Sequence, residues 1–177
     1  PSLQTLKLPS WITSTENKDQ RASHEHYTVK IILDSSFREV FKLPQETLGI
    51  TPESVASLIM GTCHDSAYFS VAGKNYFPIL HQLVSSEIDC DRMDYLLRDS
   101  FFCGVNYGKF DLDWILTNLT TYENKNQEVF LALNTRGLLA FDNYLMSRYH
   151  MFLMVYLHYR PVCLEKMFKL FLEQTPE

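Results

Sequence analysis

At 177 residues, 46% hydrophobic and 14% aromatic, the chain is long and apolar enough to bury a core, which excludes a disordered segment. A net charge of −5 and a pI near 5.7 exclude the broad basic field of a general nucleic-acid binder, so a polyanionic ligand would need local arginines and a metal ion. The four cysteines, Cys63, Cys90, Cys103 and Cys163, form no CxxC pair, and reduced thiols in a cytoplasmic protein are the simplest account.

Residues 1–22 read as an irregular N-terminal segment, with no signal-peptide pattern and no histidine. Ser23 is a fit N-cap for a helix running to about Asp34, and a second short helix is expected near residues 36–41. Residues 44–50 read as a connector. Thr51-Pro52-Glu53-Ser54 is a helix start, with a cap, a proline in the first turn and an acid near the positive end of the dipole; Gly61 ends that helix. Residues 62–76 read as a loop, and residues 77–84 open the next helix. Another helix begins around residues 110–116. Residues 119–122 and 128–133, separated by Glu123-Asn124-Lys125-Asn126-Gln127, read as the one small β-hairpin. Residues 137–158 read as a long buried helix broken by Pro161, and residues 162–173 as the last. Asp142, Asn143, Arg148 and His150 interrupt the apolar run 138–157, which argues against a membrane span. There is no internal repeat, and the expected fold is mostly α.

The chain is organised around Glu87-Ile88-Asp89-Cys90-Asp91-Arg92-Met93-Asp94-Tyr95-Leu96-Leu97-Arg98-Asp99-Ser100. With side chains turning by roughly 100° per residue, Asp91, Tyr95 and Asp99 share one helical stripe, while Met93, Leu96 and Leu97 face a core. Two accounts are open. A charge-rich helix face is most often merely solvated, and an i, i+4 pair such as Asp94–Arg98 supports any exposed helix. A stripe alternating carboxylates with a phenol also suits a polar ligand.

The run from Ser85 to Asp99, continued by Gly104-Val105-Asn106-Tyr107-Gly108-Lys109-Phe110-Asp111, resembles the last metal-ligand segment of HD-domain phosphohydrolases. Within that superfamily it is most similar to deoxynucleoside triphosphate triphosphohydrolases, the group of bacterial dGTPases and the animal SAM-and-HD-domain protein. The resemblance covers about residues 23–171. It implies an HD-type helical fold, here a partial domain over residues 23–177, and hydrolysis of a dNTP to deoxynucleoside and triphosphate. It also implies a divalent metal (Mn, Fe, Mg or Zn) and a homo-oligomer; charge and the interrupted apolar run, independently of it, point to neither nucleic acid nor membrane as partner.

Carried onto this sequence, Asp91 matches the late metal-ligating Asp, and Tyr95 and Asp99 match residues lining the sugar, where a phenol on deoxyribose leaves no room for a 2′-hydroxyl. Arg92 matches a basic position facing the phosphates. His24 matches a histidine that serves some members as general acid near the leaving group; the alternative is a helix N-terminal histidine with no role. On the long helix, Arg148 would hold a phosphate and Tyr156 would touch the nucleoside; the alternative for Arg148 is a buried ion pair with an aspartate such as Asp94. Phe152 and Tyr159 depart from the histidine and lysine of other members, which leaves base preference and nucleotide activation untransferred. The family's early His and His-Asp pair find no match. His64-Asp65 formally completes the pattern, but its place after Gly61 in a loop marks it as a chance match. The chain opens on Pro1, which fits an engineered fragment, a cleavage product or part of a longer polypeptide. Two functional classes follow: an HD phosphohydrolase completed by upstream ligands, or a degenerate HD domain that binds nucleotide or a protein partner without turnover. A related alternative is an HD phosphohydrolase for a nucleoside monophosphate or signalling nucleotide.

Overall fold

The computed structural model describes residues 6–13 and 21–175. They are mostly helical, with two small antiparallel strand pairs, and they divide into two compact units. No helix among the described residues is long and apolar enough to cross a membrane.

The first unit comprises residues 1–89 and 121–131. Its helices are α1 (Ser10–Thr13), α2 (His24–Asp34), α3 (Lys42–Leu48), α4 (Pro52–Met60) and α5 (Phe77–Val84), with a 3₁₀ turn at Ser36–Phe41. The short α1 corrects the irregular reading of the N-terminus: it inserts Ile12 into a cluster with Val29, Ile32, Leu33 and Ala56, and apolar burial outweighs weak local pattern. The connector at 44–50 is corrected likewise. Pro44 is the third residue of α3, where a missing N–H costs nothing, and Gly49 caps the helix at φ +69°.

α4 follows its sequence signals closely. Ser54 N–H donates to Thr51 Oγ1 (3.1 Å), Thr51 N–H donates to Ser54 Oγ (3.2 Å), and Gly61 closes the helix at φ +67°. The expected loop at 62–76 contains a first hairpin, β1 (Ser70–Val71) with β2 (Lys74–Asn75), turned through Ala72 and Gly73 at positive φ. Two-residue strands are too short to show an alternating pattern in sequence. Asn75 N–H donates to Gln127 O (2.8 Å), which ties this hairpin to the second.

The second hairpin, β3 (Leu119–Glu123) and β4 (Val129–Leu133), lies where the sequence places it. Its turn is built by Asn124, whose Oδ1 accepts from Asn126 N–H (2.8 Å) and Glu128 N–H (3.0 Å).

The second unit comprises residues 90–120 and 132–177, with α6 (Cys90–Phe102), α7 (Leu112–Asn118), α8 (Leu138–Met151) and α9 (Tyr159–Gln174). The single long helix expected over 137–158 is corrected. α8 ends at Met151 and Phe152–Tyr156 form a π-turn, closed by Leu157 N–H to Phe152 O at 2.7 Å. Pro161 does not break the helix. It sits in the first turn of α9, behind the His158 cap, where proline is tolerated. Burial along α8 is confined to Tyr144, Ser147 and Met151, so the helix is not buried all round; Leu139, Met146 and Tyr149 are exposed.

Candidate functional site

Helix α6 has the two faces its sequence implies. Met93, Leu96 and Ser100 are buried, with Leu96 at 0% exposure, while Tyr95 and Asp99 are half-buried on the stripe they share with Asp91. Asp91 stands exposed in the first turn, where the helix dipole favours a carboxylate, and Arg92 beside it is half-buried. Asp94 and Arg98 form the i, i+4 pair expected on the solvent side. That pairing holds both side chains at the surface, so Asp94 serves Arg98 as its acid.

The stripe converges with residues from the end of α8. The Tyr156 hydroxyl donates to Asp99 Oδ2 at 2.6 Å, and the Tyr95 and Tyr156 rings meet edge to face with centroids 6.1 Å apart. Phe152 packs edge-on against Tyr156 (5.3 Å), and the half-buried Arg148 guanidinium lies 5.9 Å over the Phe152 ring. Residues 57 and 61 positions apart in sequence thus become neighbours. Burial and then the Asp99 carboxylate push the Tyr156 phenol well above the ordinary tyrosine range, so it stays a donor. The π-turn contributes by shifting the helical phase of the residues after Met151, which sequence periodicity cannot register.

This face offers a carboxylate, two phenols and a guanidinium at close quarters, a set suited to a hydroxylated, anionic ligand. A cleft of about 570 Å³ lies instead along the other side of α6. Met93, Leu97, Phe101, Phe102, Leu112 and Leu116 make it mainly apolar, and it holds none of the residues expected in the site.

His24 belongs to the first unit, as the first residue of α2. Its side chain is 90% exposed, with Nε2 3.0 Å from Glu25 Oε1. The Ser23 hydroxyl, which bonds Glu25, holds the Glu25 carboxyl below its ordinary range. His26, read from the sequence as a structural residue of this helix, is buried and accepts Ser23 N–H at Nδ1 (3.1 Å), completing the helix cap. His64-Asp65 lies in a loop, as expected. Its ring meets Trp11 edge-on (5.1 Å), and with Glu53, Ser57 and Tyr68 it lines a separate cavity of about 270 Å³.

A metal of the kind the resemblance implies does not fit these residues alone. Asp91 supplies one carboxylate, and among the described residues no group of three or more His, Cys, Asp or Glu side chains gathers to hold an ion.

No family model matches the chain. The uncharacterized protein YwfO of Bacillus subtilis is 35% identical over 135 residues, covering 76% of this chain and 27% of that protein. An uncharacterized protein of Mycoplasma pneumoniae is 31% identical over 143 residues, 80% of this chain and 30% of its own. One from Methanocaldococcus jannaschii is 40% identical over 77 residues, covering 44% and 17%. The crystal structure of a hypothetical protein from Aquifex aeolicus matches at a TM-score of 0.63 and 30% identity, over 88% of this chain and 39% of that one. The chain therefore spans less than a third of the length of these curated relatives and is similar, over most of its own length, to part of a larger fold.

Proposed function

We propose that this chain is the nucleotide-facing part of an HD-type phosphohydrolase that converts a dNTP to deoxynucleoside and triphosphate. The observation that carries the reading is the convergence of Tyr95, Asp99 and Tyr156, joined by the 2.6 Å hydrogen bond, with Arg148 on the same helical segment. Asp99 and Tyr156 exchange a hydrogen bond that a sugar 3′-hydroxyl could enter as both donor and acceptor. The Tyr95 ring presents a flat wall to the sugar, and Arg148 and Arg92 neutralise phosphate charge. Water attacks the α-phosphorus and the bond to the 5′-oxygen breaks. The proton released by the attacking water passes to that oxygen, completing the deoxynucleoside. Asp91 would supply one ligand to a divalent metal, which would activate the attacking water; the chain spans less than a third of the length of its curated relatives. The same reading carries self-association, supported by the exposed Leu164, Met167, Phe168 and Phe171 of α9.

The test is nucleotide turnover and binding by the intact protein with Tyr95→Ala and Arg148→Ala. Tyr95→Ala removes the wall and relaxes dNTP over rNTP discrimination. Arg148→Ala weakens all triphosphates together by a few kcal/mol, about that of a lost charge-assisted contact, without changing sugar preference. Unchanged sugar preference in the first variant, or undiminished triphosphate affinity in a destabilised second, refutes the assignment. The second reading, a degenerate domain that binds nucleotide or a partner without turnover, is favoured by the lack of a gathered ligand set among the described residues. Binding without hydrolysis by the intact protein with divalent metal present selects it.

A further inference from the structure

The segment between α6 and α7 passes through the second unit at a point with no spare room. A Cβ built on Gly108 would lie 2.4 Å from Leu96 O, 2.9 Å from Ser100 Cβ and 3.1 Å from Met151 Cγ. The first of these atoms is α6 backbone and the last belongs to α8, so the glycine is wedged between the two helices at hydrogen-only thickness. Two buried hydroxyls hold it there. Ser100 Oγ donates to Val105 O (2.7 Å) and accepts Gly108 N–H (3.3 Å), fastening the segment to α6. Ser147 Oγ donates to Lys109 O (2.9 Å), fastening it to α8. Ser100 and Ser147 are 1% and 3% exposed, too little for water to replace either bond.

Each of these contact points adjoins a residue of the candidate site in sequence. Leu96 follows Tyr95, Ser100 follows Asp99, Ser147 precedes Arg148, and Met151 precedes Phe152. We propose that Gly108, with Ser100 and Ser147, forms a spacer that sets the distance between α6 and α8 at which Tyr156 meets Asp99. These three are positioning residues: they touch no ligand, and act by holding the sugar-facing pair in register. As a specificity device the spacer rests on the reading of this face as a nucleotide site. As a geometric device it does not.

The experiment separates the two. Intact protein is labelled with ¹³Cζ-tyrosine, and the Tyr156 resonance is assigned by its loss in Tyr156→Phe. Wild type, Gly108→Ala and Ser147→Ala are followed from about pH 8 to about pH 11, a span in which an ordinary tyrosine deprotonates. The Tyr156 resonance of wild type stays in its protonated position throughout. In Gly108→Ala the added methyl parts the helices and Tyr156 titrates like an ordinary phenol. Ser147→Ala, which adds no bulk, shifts it in the same direction and decides the matter if Gly108→Ala does not fold. With dNTP and rNTP as substrates, displacement of the pair by about 1 Å lowers dNTP kcat/KM on the order of 100-fold, while rNTP turnover falls less. A folded Ser147→Ala or Gly108→Ala protein whose Tyr156 resonance behaves as in wild type overturns the spacer. A spacer confirmed by the resonance in a protein that neither binds nor cleaves dNTP leaves the geometry standing and refutes the nucleotide reading.

Discussion

Gly61→Ala, compared with Gly49→Ala, offers a controlled measurement of one packing contact in the first unit. Both glycines cap a helix in the left-handed region, at φ +67° and +69°. Alanine pays about 1 kcal/mol for that backbone conformation at either site. At Gly49 nothing lies within 4 Å of the new Cβ, so the backbone term is the whole effect. At Gly61 the Cβ would meet His81 Nε2 at 2.8 Å and Cε1 at 2.9 Å. The imidazole cannot swing away cheaply, because Nδ1 lies 2.6 Å from Leu58 O and the ring stacks on Phe77 at 6.1 Å. Moving it forfeits a hydrogen bond of about 1 kcal/mol and a ring contact of about 0.5–1 kcal/mol. Gly61→Ala is therefore expected to cost about 2.5–3 kcal/mol against about 1 kcal/mol for Gly49→Ala. Urea unfolding of each variant measures the difference, and a cycle with His81→Ala isolates it, since removing the ring should return Gly61→Ala to the Gly49→Ala value. Equal costs for the two glycine variants, or additivity in the cycle, would falsify the claim that His81 is pinned.

Tyr156→Phe removes the donor to Asp99. Both groups are half-buried, so the loss at neutral pH is about 1 kcal/mol, below the range for a buried bond to a charged group. Because the folded phenol titrates above its unfolded value, this stabilisation is full below about pH 10 and fades as pH rises towards the folded value. Urea midpoints of variant and wild type should converge in that alkaline window, and a gap independent of pH up to about pH 11 counts against the bond. Asp91→Ala in the intact protein is expected to abolish divalent-metal binding in calorimetry while helical circular dichroism survives; His64→Ala, in its loop, is expected to leave metal content unchanged. Metal lost from the second variant and not the first would reverse their roles.

Much of the fold is legible in the sequence because its signals are local. Thr51-Pro52 with Gly61, Ser23 before His24, and Asn124 in its turn each satisfy backbone groups within a few residues, and such chemistry needs no partner from elsewhere. The α6 stripe is legible too, since Asp91, Tyr95 and Asp99 share a face through helical period alone. Tertiary structure decided what depends on distant chain. α1 is a helix because Ile12 finds a pocket among residues of α2 and α4, and the 70–75 hairpin is held partly by Gln127. The α8 run, apolar in sequence on nearly every side, gave no hint of where regular winding stops. The π-turn at Phe152–Tyr156 aims Tyr156 at Asp99, and no period of 3.6 can foretell that phase shift. Nor does a lone Gly108 announce itself in sequence. Its meaning lies in Leu96 O and Met151 Cγ, atoms that tertiary packing brings against it from 12 residues before and 43 residues after.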